Sequence, residues 1–473
     1  MPKAQYLTAP VKSDRMPPGV PFIVSSEAAE RFSYYGMNSI LVVFMTTQLR
    51  SAAGQPAPMA SAEAEGWYHA FVTAVYFLPL LGAILADAFV GKFRTIMALS
   101  IVYCLGHLAL ALDHTRMGLV LGLSLIALGA GGIKPCVSAT VGDQFGKTNQ
   151  HLLSRVFNWF YFSINVGSAF STMLIPWLLE PYKVPAEAAA QMPAWQVHFW
   201  ERIHSPDVAF GVPGLLMIVA TVVFWVGRYR FVHIPPAGRK YLDEFWVPGV
   251  GVNMETLRTL GNLLIPVPFV AMFWALWQQN FSSWVLQSEK MDRHLFGKEW
   301  LPAQIQTVNP IFILLALPIF SYVIYPLIEK VFRLTPLRKI GMGLFVTIFA
   351  FLIIAWIQLR IDAGGKPNII WQVFAFAVLT AGEVLVSATH LEFAYSQAPN
   401  RLKSLVMCTY LIAISLGNAF TAAVNFLMGW WGMKAETTGY FVFFIVTMSV
   451  FAVVFVFVAR SYRGRTHVQD ETA

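Results

Sequence analysis

Three ionisable residues crowd an otherwise apolar stretch near the start of the chain: Glu27, Glu30 and Arg31. With Tyr34, Tyr35 and Asn38 they fall at i, i+3, i+4, i+7, i+8 and i+11, which is one stripe of a helix. Glu27 and Arg31 form an i,i+4 pair with the acid on the N-terminal side, the favourable order. Facing lipid, each ionised group would cost roughly 2.5–3.5 kcal/mol, and the three together on the order of 7–10 kcal/mol. The stripe should therefore face a bundle interior or a watery cavity. Two carboxylates around one guanidinium can take up and release protons beside a substrate path. The plainer alternative is a structural ion pair near the membrane edge.

Other polar groups interrupt apolar segments further on. Tyr68 and His69 are adjacent, and Lys134 lies deep in GAGGIKP. Tyr161 and Asn165 are spaced i,i+4, Asn309 stands alone, and Glu383, Ser387 and His390 are spaced i, i+4 and i+7. A lone histidine or asparagine in a span is as readily a helix-packing hydrogen bonder as a ligand. Lys134 is harder to dismiss, because a buried ammonium needs a carboxylate partner. Glu383 is the candidate, and a Lys134–Glu383 pair would act as a gate, made in one state and broken in another. There is no HExxH and no GxSxG. Gly129, Gly131 and Gly132 sit in an apolar run with no preceding strand, so they read as close helix packing and not as a nucleotide loop. Cys104, Cys136 and Cys408 are far apart, which suits packing and no disulfide framework. No catalytic residue, metal site or cofactor is expected.

The elements that must position these groups follow from composition. Hydrophobic residues make up 57% of the 473 positions and charged residues only 12%. Soluble chains run near 45–50% apolar and about 25% charged. A soluble enzyme, a disordered chain and a nucleic-acid reader are excluded, and the net charge of +8 calls for a membrane explanation. A span needs about 20 apolar residues. Twelve apolar segments are found, near 21–49, 66–88, 95–113, 117–142, 153–179, 207–228, 260–288, 303–331, 338–359, 369–396, 403–430 and 437–460. With the N-terminus in the cytoplasm, inside connections hold 21 Lys and Arg and outside ones 10; Arg31 and Lys134 lie within spans. This bias places both termini inside. The first 20 residues carry Lys3, Lys12 and Arg15 but no apolar run, so the first span should direct insertion. The expected organisation is a tail (1–20), a six-helix bundle (21–228), a cytoplasmic connection (229–259), a second six-helix bundle (260–460) and a tail (461–473). Two such halves suggest a transporter built from repeats. In the connection 180–206, Trp195, Phe199 and Trp200 could lie on the outer surface.

The residues then resemble a known family. EAAERFSYYG (27–36) matches the ExxERFxYYG motif of the proton-dependent oligopeptide transporter family, within the major facilitator superfamily. GAILADAFVGKFRTI (82–96), FYFSINVGS (160–168) and GEVLVSATHLEFAYSQAP (382–399) resemble its span 2–3, span 5 and span 10 motifs, so the likeness covers nearly the whole chain. It implies an all-α fold of twelve helices in two six-helix bundles, working by alternating access. It also implies proton-driven import of di- and tripeptides across a membrane, expected here to be a bacterial inner membrane, by a monomer. By position, Glu27, Glu30 and Arg31 match the proton-coupling cluster, with His69 and Glu383. Lys134 matches the lysine that contacts the peptide carboxylate and pairs with Glu383. Tyr34, Tyr68, Tyr161 and Asn165 match one side of the peptide pocket, and Trp274, Asn309, Glu383 and Ser387 the other.

Two departures matter. Asn38 stands where the family has an arginine, and Gln278, four after Trp274, where it has an acid. In relatives these positions form a salt bridge; here both charges are gone, so neither partner is left unpaired, and an Asn38–Gln278 hydrogen bond could replace it. Three readings stay open beside peptide symport: the same fold carrying nitrate or another small anion, a membrane sensor that binds peptide without pumping it, and a membrane enzyme.

Overall fold

A computed structural model describes residues 6–236, 238, 261, 264–391, 393 and 403–462. Regular structure is almost wholly helical. Ten helices are long and apolar enough to cross a membrane among the described residues. In chain order the helices of the first part are α1 (Val20–Thr47), α2 (Ser61–Ile84), α3 (Lys92–Leu112), α4 (Arg116–Asp143) and α5 (Leu153–Leu179). They continue with α6 (Ala186–Ala189), α7 (Ala194–Ile203) and α8 (Pro206–Val226). The second part holds α9 (Val267–Trp277), α10 (Ser283–Ser288), α11 (Val308–Ile319), α12 (Tyr325–Glu329), α13 (Pro336–Asp362), α14 (Ile370–Glu383), α15 (Lys403–Trp430) and α16 (Thr438–Ser461). A two-residue antiparallel hairpin, His294–Leu295 with Lys298–Glu299, is the single sheet among the described residues.

α1 is 28 residues long and carries Glu27, Glu30 and Arg31; it is not among those ten. The expected seventh span, 260–288, is not one continuous helix. α9 stops at Trp277, a 3₁₀ turn covers Gln278–Phe281, and α10 resumes at Ser283. The run Gln278-Gln279-Asn280, with Ser282 and Ser283 just after Phe281, offers the backbone competing side-chain hydrogen bonds, and Asn280 Nδ2 donates to the Trp277 carbonyl at 2.6 Å. Among the described residues, π-helical turns end one other span at Leu85–Val90 and interrupt two at Phe320–Ile324 and Val384–Ala388. Such turns shift side-chain register within a span. In the connection before α8, α7 leaves Trp195, Phe199 and Trp200 exposed.

The chain folds as two compact units: Met1–Met59 with Leu78–Tyr241, and Ala60–Phe77 with Leu242–Ala473. The first half of α2 therefore belongs with the C-terminal helices. Within the first unit α1 packs on α5 and α8, and α3 on α4 and α8. Within the second, α9 packs on α15 and α16, and α13 on α14 and α16. The pairing scheme is the same, helix for helix, as expected of an internal repeat. Its close approaches repeat too. A Cβ on Gly167 of α5 would stand 2.8 Å from the Ala28 carbonyl oxygen of α1. A Cβ on Gly417 of α15 would collide with the Ala271 carbonyl and stand 2.8 Å from the Ala275 nitrogen of α9. Small residues at helix crossings are how apolar spans gain contact when lipid is as apolar as their side chains. Gly129, Gly131 and Gly132 serve the same end; a Cβ on Gly129 would lie 2.6 Å from Tyr103 Cβ of α3.

The apolar residues turn outward as well as inward. Leu112, Phe170, Phe349, Val446 and Phe457 are exposed on their helices. Glu27, Glu30, Asn38, Glu65, His69 and Asn418 are buried. Water would reverse this arrangement; hydrocarbon favours it.

Candidate functional site

The first unit gathers its charges on α1. Arg31 Nε donates to Glu27 Oε1 at 2.7 Å and lies 2.9 Å from Glu30 Oε2. One guanidinium thus holds two carboxylates, Glu27 through the i,i+4 spacing and Glu30 as its chain neighbour. All three are buried, and so are Tyr34 and Asn38 on the same stripe. Lys134 of α4 sets its Nζ 4.2 Å from the centre of the Tyr34 ring and is within electrostatic reach of both Glu30 and Glu27. Pro135, the next residue, lies inside α4, where it removes one backbone donor. The face is closed by residues that the sequence reading passed over. Tyr103 stacks on His107 with ring centres 5.2 Å apart, and His107 Nε2 shares a 2.9 Å hydrogen bond with Ser33. Tyr161 of α5 is 40% exposed, and Asn165 donates to the Tyr161 carbonyl at 2.9 Å.

The second unit carries two polar clusters. In one, Glu383 Oε2 accepts from Trp277 Nε1 at 2.9 Å and from Asn309 Nδ2 at 3.0 Å, and Asn309 also donates to Thr380 Oγ1 at 3.1 Å. The sequence singled out Glu383, Asn309 and Trp274, and the structure brings Glu383 and Asn309 together. The indole on Glu383 is that of Trp277, one turn after Trp274. Trp274 packs edge-on against Trp277 and Tyr410, at 5.1 and 5.7 Å between ring centres. Ser387 shares a 3.0 Å hydrogen bond with Tyr410. The π turn at Val384–Ala388 lies between Glu383 and His390, so the simple i, i+4, i+7 stripe is rewound there. Both ring nitrogens of His390 are buried without a hydrogen-bond partner.

The other cluster joins the first half of α2 to the broken segment and to α15 and α16. His69 Nδ1 is 2.8 Å from Asn418 Oδ1, and its Nε2 is 3.0 Å from Ser282 Oγ. Asn418 Nδ2 donates to the Ile414 carbonyl, which leaves Oδ1 as the acceptor for the His69 Nδ1–H. A hydroxyl can donate or accept, so Ser282 suits His69 either neutral or protonated. Gln278 donates to the Tyr68 hydroxyl at 3.4 Å. One turn before His69, Glu65 accepts from Ser283 at 2.8 Å and from the Tyr440 hydroxyl at 3.2 Å. No metal-ligand cluster occurs among the described residues.

Long apolar helices arranged as a repeat, lipid-facing outside and acid–base clusters within, define a multi-pass integral membrane protein. The POT family model (PTR2) matches residues 93–248 and 249–441. The chain belongs to that family, and its fold is that of the major facilitator superfamily. It is 35% identical to the POT family transporter PepTSo, whose crystal structure aligns with a TM-score of 0.81 over 95% of this chain and 99% of that one. The crystal structure of an auto-inhibited POT family peptide transporter aligns at 0.79 with 32% identity, over 96% of this chain and 99% of that one. Solute carrier family 15 member 2 of Mus musculus is 34% identical over 447 residues, 81% of this chain and 58% of its own length. Peptide transporter family 1 of Drosophila melanogaster is 36% identical over 383 residues, 73% of this chain and 48% of its own. The chain thus spans about half the length of the curated relatives it matches.

Proposed function

We propose that this protein is a proton-coupled symporter that imports di- and tripeptides by alternating access, and that it is a transporter and not an enzyme. The observation that carries the reading is the Arg31 guanidinium between the buried carboxylates of Glu27 and Glu30, with Lys134 in electrostatic reach. A proton on Glu30 removes one of the two charges that hold Arg31 and one of those that attract Lys134. Buried charges are worth several kcal/mol to one another, so this local event can bias a two-state carrier. Lys134 then serves as the contact for the peptide carboxylate, and Glu383, oriented by Trp277 and Asn309, for the amino end. Pairing of Lys134 with Glu383 in one state of the cycle is part of the proposal, as is the lining role of Tyr34, Asn38, Tyr68, Tyr161, Asn165, Trp274, Gln278 and Ser387. The names of the relatives support peptide as the cargo.

Twelve spans with both termini in the cytoplasm, which the Lys and Arg bias supports, and a bacterial inner membrane, which the compact connections support, complete the reading, with a monomer as the expected state. The test is uptake of labelled dialanine into proteoliposomes under an inward proton gradient with the interior negative. Accumulation that an uncoupler collapses supports symport. Binding without accumulation indicates a sensor, and transport of nitrate without peptide a small-anion carrier.

A further inference from the structure

We infer that Glu65 is a proton-binding site of the coupling machinery, a second one in addition to the α1 cluster; the inference rests on the symport reading. Glu65 stands one turn into α2 and is fully buried. Its Oε2 accepts from two hydroxyls, Ser283 of α10 and Tyr440 of α16, and its Oε1 is buried with no hydrogen-bond partner. Asn425 of α15 supports the Tyr440 hydroxyl at 3.2 Å. Among the described residues no Lys, Arg or His is ion-paired with Glu65. Among the described residues, charged groups on the elements around Glu65 include Glu63 on α2 itself, Glu289 and Lys290 after α10, Glu436 before α16, whose charge acts on Glu65, and Asp362, which accepts from Thr438 at the start of α16. Lys290 is committed to Glu436 by an ion pair.

The break in the seventh span links Glu65 to His69. Consecutive residues Ser282 and Ser283 point one hydroxyl at each group: Ser282 to the His69 imidazole at 3.0 Å and Ser283 to the Glu65 carboxylate at 2.8 Å. Glu65 and His69 are themselves i,i+4 on α2, neighbours on one helix face. An acid and a base able to exchange a proton are thus held by two adjacent serines on a segment that is not a continuous helix. In the coupled step a proton from outside water binds Glu65, converting the carboxylate to a neutral acid. Its release regenerates the carboxylate, and His69 can take that proton as imidazolium. Gln278, one turn before Ser282, is uncharged and turned to Tyr68, so Glu65 supplies the carboxylate of this cluster.

Two readouts test the inference. In proteoliposomes, Glu65→Gln should flatten the pH dependence of dialanine uptake, and Glu65→Asp should restore it. In difference infrared spectra of the unmutated protein across a pH step, a protonated carboxylic C=O band should appear, and Ser283→Ala and Tyr440→Phe should each shift it. An unchanged pH profile in a folded Glu65→Gln protein, or a band insensitive to both hydroxyl deletions, overturns the assignment. The infrared arm decides the case if Glu65→Gln does not fold. If the unmutated protein takes up no peptide, the symport reading fails on its own, and the infrared band still decides whether Glu65 binds a proton.

Discussion

Arg31 Nε stands 2.7 Å from Glu27 Oε1 while also lying 2.9 Å from Glu30 Oε2. One buried cation therefore balances two buried anions on a single helix face. Removing either acid, by mutation or by a proton, redistributes what the other feels, and Lys134 is close enough to respond.

Glu30→Gln keeps the shape and removes the titratable group. Proton-driven accumulation should disappear while exchange of labelled for unlabelled peptide at equal pH persists. The two assays on one proteoliposome preparation separate coupling from binding. Full pumping by this variant would remove Glu30 from the proton path.

Lys134→Ala should abolish the preference for peptides over their C-terminal amides. A hydrogen bond to a charged partner is worth about 1.5–3 kcal/mol, so the discrimination lost should be on the order of tenfold to a hundredfold. Competition of dialanine and its amide against labelled substrate measures it. An unchanged ratio would show that the carboxylate is recognised elsewhere.

Trp277→Phe deletes the indole donor to Glu383 and keeps an aromatic ring, smaller by the pyrrole half of the indole. Asn309 remains as a donor, so the expected loss is partial, about 1.5–3 kcal/mol or less, seen as a raised KM for uptake. Trp274→Phe has no such bond to lose in this arrangement and should have the smaller effect on KM. The reverse order would mean that Trp277 does not orient Glu383 during transport.

Gly167→Ala places a methyl 2.8 Å from the Ala28 carbonyl and 3.2 Å from the Phe32 nitrogen. Both neighbours are backbone, so α1 must move. Overpacking of this kind costs about 1–3 kcal/mol. Thermal unfolding in detergent should show a lowered midpoint, with coupling impaired because Glu27, Glu30 and Arg31 ride on the same helix.

Much of this was legible in the residues, and what was not has physical causes. The α1 stripe was visible because its spacing follows the helical period; Glu27, Glu30, Arg31, Tyr34 and Asn38 are buried, and Tyr35 of the same stripe is half-buried. The family was visible in four motifs and is confirmed by matches along most of the chain. Glu65 escaped notice because a hydropathy boundary at 66 left it in a loop, whereas α2 starts at Ser61. Helices are ended by hydrogen bonding, not by hydropathy, and here Ser283 and Tyr440 make a carboxylate acceptable inside. Trp274 and Trp277 lie one turn apart, so spacing alone could not say which indole reaches Glu383. The break at Gln278–Phe281 and the π turn after Glu383 change side-chain register without changing apolar content, and so leave no mark in a periodicity count.

The central claim is coupling of proton to peptide movement, and the most direct measurement is peptide-driven proton flux. Proteoliposomes loaded with a pH-sensitive dye, with an interior-negative potential and no imposed pH difference, are challenged with dialanine. The account predicts acidification of the lumen that depends on peptide and is abolished in Glu30→Gln. Peptide accumulation with no change in luminal pH would contradict it.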